Sequence, residues 1–143
     1  MNISILLPYK ENYSPEYPGA VSLFVSQTIR HSKYAKNIMV YGNTNFKSTL
    51  TNNYTNINLD NVYLLQSQTK YYVNRFIELQ KKIQANIIEV HNRPIYLKYI
   101  FDKLNIKKDN QNNLFKKLKS IEQLSKDKII LVYYNFYKIF IYK

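Results

Sequence analysis

One stretch constrains this chain more than any other: Ile87-Ile88-Glu89-Val90, a strand-like run entered from Asn86, passes straight into His91-Asn92-Arg93, and Pro94 follows. A short Ile/Val-rich run bounded by polar residues reads as a strand buried on both faces, the kind found inside a parallel sheet. Pro94 fits the first turn of a helix, where its missing N–H needs no partner and its φ is already helical. The helix expected from there covers Ile95 to Leu104. Ligands of open parallel sheets sit outside the carboxyl ends of the strands, so His91, Asn92 and Arg93, read as the start of a loop, stand where a site is expected. A lone His after a strand is also often a plain structural hydrogen-bonder, and both readings stand on spacing alone.

The rest of the chain repeats the strand-then-helix rhythm. Ile3 to Pro8 is an apolar run suited to a central strand, and it empties into Tyr9 to Ala20, a polar and aromatic loop containing Pro15 and Pro18. A long first loop rich in charged and aromatic residues points to function. Gly19, one of two glycines in the chain, precedes the helical pattern Ala20 to Arg30. Free N–H groups and the positive end of the helix dipole would make Gly19 and Ala20 an anion site, although Gly19 also serves as a simple turn after Pro18.

Asn37 to Gly42 reads as a second strand, and Lys47 to Asn61 as an Asn- and Thr-rich connection without a legible signal. Asn61 to Leu65 is the expected third strand. From Lys70 to Gln84, apolar Tyr72, Val73, Phe76, Ile77, Leu79 and Ile83 recur at helical spacing and predict a packing helix with a basic outer face. Leu114, Leu118, Ile121 and Leu124 predict another helix ending near Lys126, and Lys128 to Tyr133 a last buried strand. The resulting fold class is α/β, a Rossmann-like parallel sheet with helices on both faces. Residues 1–133 form that domain, and 134–143 form an apolar, basic tail that reads as a truncated continuation.

Charge and rare residues bound the function classes. With 21 Lys plus Arg against 9 Asp plus Glu, the formal charge is +12, which attracts phosphates, nucleic acid or an anionic membrane face. Much of it is Lys in a chain crowded with Asn, Ile and Tyr, a mix that coding bias alone produces. No Cys and only His31 and His91 are present, so no thiolate metal site or disulfide framework exists and a zinc site is not expected. A reducing, cytoplasmic setting is the expectation, no apolar run reaches the length of a bilayer span, and Met1 leads at once into a strand pattern and does not read as a secretory signal.

The chain resembles the N-terminal half of family 4 glycosyltransferases of the GT-B type. The resemblance rests on the opening strand with Pro8, Glu11 and Pro18-Gly19-Ala20-Val21-Ser22, on the strand ending Val40-Tyr41-Gly42, and on Ile87 to Pro94. It covers essentially the entire chain. It implies one half of a GT-B architecture, with the acceptor, a glycan or lipid-linked sugar, held here. The nucleotide-sugar donor, a co-substrate, would be held mainly by a second domain, with no metal or cofactor required. Under it, His91 is the catalytic side chain near the acceptor hydroxyl or reacting carbon. Glu11, Gly19, Ala20, Asn92 and Arg93 bind substrate, Arg93 holding a phosphate or carboxylate unless it pairs with Glu89 or Asp102. Work at the inner face of the membrane, with peripheral contact to anionic lipid, is compatible.

Three departures accompany the resemblance. Ala20 stands where many relatives carry a second glycine. Asp109-Asn110-Gln111-Asn112 replaces an expected strand and acceptor loop. Tyr133-Tyr134-Asn135 stands where a Ser and a crossing helix are expected. A second class, a small basic α/β module binding nucleic acid or an anionic membrane surface, explains the charge but offers no recognised nucleic-acid motif, so specific nucleic-acid binding is not expected.

Overall fold

The computed structural model describes residues 1–60, 62, 66–104, 129–134 and 137–142. Strands β1 (Ile3–Leu6), β2 (Ile38–Gly42), β3 (Tyr54–Asn56), β4 (Ile87–His91), β5 (Ile129–Tyr134) and β6 (Tyr137–Tyr142) form one sheet in the order β3-β2-β1-β4-β5-β6. The pairs from β3 through β5 are parallel, and β6 runs antiparallel to β5. Helices α1 (Ala20–Arg30), α2 (Gln68–Ile83) and α3 (Pro94–Leu104) connect the parallel strands. This is a Rossmann-like α/β arrangement whose strand order reverses between β1 and β4.

Side-chain alternation along the strands builds a core on each face. Ile5, Leu7, Ile38 and Val40 pack with Val25 and Ile29 of α1. Their neighbours Leu6, Tyr41, Ile88 and Val90 point the other way, onto Tyr72 and Phe76 of α2 and Tyr96 and Ile100 of α3. Ser4, buried in β1, stays satisfied by donating to Gln80 Oε1 at 3.1 Å. That bond gives the buried Gln80 of α2 a partner, while Ile83, on the expected apolar stripe, is 43% exposed.

Two boundaries differ from expectation. The third strand is Tyr54–Asn56, inside the stretch without a legible signal, while Val62 lies outside any strand and residues 61 and 63–65 lie outside the described residues. A three-residue edge strand is too short to show alternation, and the segment joining it to β2 has no helix to announce a crossover. At β4, pairing continues one residue beyond Val90, because His91 lies opposite Tyr133 of β5. His91 is therefore the last strand residue and not the first of a loop. The expected helix around Leu114 to Lys126 and the segment Asn105 to Asn113 fall outside the described residues. The stretch set apart as a tail contributes Tyr134 to β5 and residues 137–142 as β6.

Buried tyrosines give the fold an alkaline limit. Burial raises Tyr72 well above its usual range, raises Tyr13 and Tyr54, and pushes Tyr96 up to about 12. A phenol whose folded pKa is raised contributes stability that is complete below its unfolded pKa and lost as pH rises through the folded value. Unfolding is therefore expected between pH 10.0 and about 12, with tyrosinate absorbance rising together with loss of helical circular dichroism. Ionisation of all tyrosines with the helices intact would contradict it.

Candidate functional site at the carboxyl edge

The crevice at a strand-order reversal is the usual ligand position in such sheets. Here side chains fill it from both faces. On the α3 side, Tyr9 N–H donates to Tyr96 Oη at 3.0 Å, and the Tyr72 ring lies 6.1 Å from Tyr9 and 5.8 Å from Tyr96. On the α1 side, His91 is 2% exposed, with Phe24 edge-on at 6.1 Å. Its Nε2 lies 2.5 Å from Glu89 Oε1, two residues back on the same strand face. The pair is well buried, at 3% and 14% side-chain exposure.

The open space sits one strand over. A cleft of about 410 Å³ opens at the carboxyl ends of β1, β2 and β3, within the roughly 300–1,000 Å³ range of small-molecule sites. Tyr9, Lys10 and Asn12 follow β1, while Asn43, Thr44 and Asn45 follow β2. Leu59 and Asp60 follow β3, and Gln68 opens α2. Side-chain bonds fix several of these groups. Asn43 Nδ2 donates to Tyr9 O at 3.1 Å, which leaves Asn43 Oδ1 to accept. Thr44 Oγ1 donates to Asn12 Oδ1 at 3.3 Å, which leaves Asn12 Nδ2 to donate. Asn58 Nδ2 donates to Asp60 Oδ2 at 2.6 Å, and Asp60 N–H returns a bond to Asn58 Oδ1 at 2.8 Å.

Of the residues singled out in the sequence, Glu11, Gly19 and Ala20 come together, but around an internal carboxylate. Glu11 Oε1 accepts from Val21 N–H at 2.9 Å and Ser22 N–H at 3.4 Å. The positive end of α1 thus already carries a negative charge, and an outside anion would have to displace it. Gly19 is the N-cap residue, and a Cβ there would collide with the Glu11 carboxylate. Its smallness serves this close approach.

Asn92 and Arg93 remain near the strand end but do not line the cleft. Asn92 has φ 48°, a left-handed turn from β4 toward α3 that Asn tolerates better than most residues. Arg93 is exposed, and its Nη1 donates to Asn92 O at 3.1 Å. The cleft groups after β2 and β3 carried a readable signal only in part. Asn43-Thr44-Asn45 follows a strand as directly as Asn92-Arg93 does, so the carboxyl-edge rule applied to β2 would have found it. Asp60 was hidden with β3.

Among the described residues, no group of three or more His, Asp or Glu side chains is placed to hold a metal ion. No helix among them is long and apolar enough to cross a membrane. Fold and site together define a Rossmann-like α/β domain with a polar, amide-rich cleft at its carboxyl edge. Comparison with family models, with curated proteins and with solved structures finds no match for this chain.

Proposed function

We propose that this domain is the acceptor side of a glycosyltransferase, holding a glycan or lipid-linked sugar while a second Rossmann-like unit presents the nucleotide sugar. The observation that carries the reading is the cleft itself. It is lined by the amides of Asn12, Asn43, Asn45 and Gln68, with Thr44, Asp60, Lys10, Tyr9 and Leu59, a mixture suited to hydroxyl groups on an apolar ring. A nucleotide site would call for phosphate-directed groups instead. The loop after β1 has no closely spaced glycines, and the α1 N-terminus is occupied by Glu11. The charge of the chain does not focus in the cleft either, where Lys10 is balanced by Asp60.

Binding measured by ligand-observed NMR on the full chain tests this reading. Neutral oligosaccharides are expected to bind in the millimolar range. UDP-glucose and GDP-mannose should bind no tighter than their sugars alone, because Lys10, the one cation lining the cleft among the described residues, is offset by Asp60. Preference for either nucleotide sugar over every neutral sugar would overturn the proposal. So would tight, sequence-selective nucleic-acid binding at physiological salt, which favours the basic-module alternative.

A further inference from the structure

Asn12, Asn43, Thr44 and Asp60 are each committed on one side by a bond within the protein, and what remains free on them defines the ligand. We infer that the cleft is a subsite for one neutral pyranose, with Asp60 accepting from one hydroxyl through its free oxygen and Asn43 and Asn12 reading another. The inference deepens the proposed function and rests on its reading of this edge as the acceptor side.

The argument starts from Asp60. Asn58 holds one carboxylate oxygen and also accepts from the Asp60 backbone. The second oxygen stays available at an exposed position on the cleft wall. A carboxylate only accepts, so its partner must donate, and its charge shortens and strengthens bonds from hydroxyls. Asn43 Oδ1 also accepts, whereas Asn12 Nδ2 donates. A hydroxyl satisfies both at once, since it donates through its hydrogen and accepts through its lone pairs. A carboxylate ligand could pair with Lys10 but would still meet two acceptors, Asp60 and Asn43, and leave them unpaired. An ammonium ligand would leave Asn12 facing a donor.

Tyr9 and Leu59 complete the subsite with apolar surface for the C–H face of a sugar ring. Lys10 Nζ, 5.8 Å from the Tyr9 ring centroid, stands over that ring on a flexible, exposed stem. The Tyr9 backbone is held by Tyr96 through its N–H, and its ring lies 6.1 Å from that of Tyr72 on α2, so this wall is in place before any ligand arrives. An anchored wall loses less freedom on binding than a mobile one.

The test is a titration of the isotope-labelled full chain with methyl α-glucoside, methyl α-galactoside, methyl α-mannoside and N,N′-diacetylchitobiose. Glucuronate and glucosamine serve as charged controls, and UDP as a nucleotide control. At least one neutral probe is expected to shift the signals of Asn43, Asn45 and Asp60, with both charged controls weaker. Asp60→Asn is expected to weaken that probe about tenfold, the loss of a charge-assisted bond, while the amide spectrum stays dispersed. Asn45→Ala, at an exposed position, provides a second variant with little bearing on folding. A neutral probe that binds but maps to Arg93 or α1 overturns this subsite and leaves the acceptor reading standing. Equal binding by Asp60→Asn also overturns the subsite alone. Shifts in the cleft from UDP and from no sugar overturn both.

Discussion

Tyr72→Ala is expected to abolish stable folding, at a cost of about 3–5 kcal/mol, the range for emptying a large aromatic site in a packed core. Tyr72 is fully buried on α2 between Tyr9, Tyr96 and the sheet. Its hydroxyl donates to Leu7 O at 2.9 Å and lies 3.4 Å from Tyr41 O, so it satisfies carbonyls where β1 and β2 leave the sheet. Tyr72→Phe separates the two contributions. It keeps the ring and removes the donor, and about 1–3 kcal/mol is expected for leaving a buried carbonyl short of a partner. Equilibrium denaturation by urea measures both. A Tyr72→Ala variant within 1 kcal/mol of the wild type would mean that α2 does not pack where this fold places it.

The same residue shows what could be read from the sequence. Tyr72 falls on a helical stripe with Val73, Phe76 and Ile77, and periodicity alone identified that helix and its buried face. Helix α1 was legible for the same reason, and β1, β2 and β4 because buried parallel strands are written as short Ile, Val and Leu runs. What periodicity does not encode is a contact made by one side chain across the chain. Gln80 reads as a surface residue until Ser4 is seen opposite it. Glu11 reads as a ligand-binding carboxylate until the N–H groups of Val21 and Ser22 are found on it. The cleft was hidden for a related reason. Its third wall depends on β3, and a three-residue edge strand among Asn and Thr has no pattern to detect.

His91 carries the sharpest question about the site, because a histidine at the end of a central strand serves either chemistry or architecture. Its burial and its bond to Glu89 predict a stability signature that activity measurements would miss. His91→Leu leaves the Glu89 carboxylate well buried without that partner, and breaking such a pair from one side is expected to cost about 3 kcal/mol. Replacing both residues, as Glu89→Leu with His91→Leu, removes the stranded carboxyl group and should recover most of that loss, since apolar side chains of similar size suit a site bounded by Phe24. A double-mutant cycle in urea yields the coupling directly. Strong coupling means that the pair fixes the carboxyl end of β4 and so positions Asn92 and Arg93. Additive losses in the two single variants would instead show that Glu89 does not hold His91 in solution.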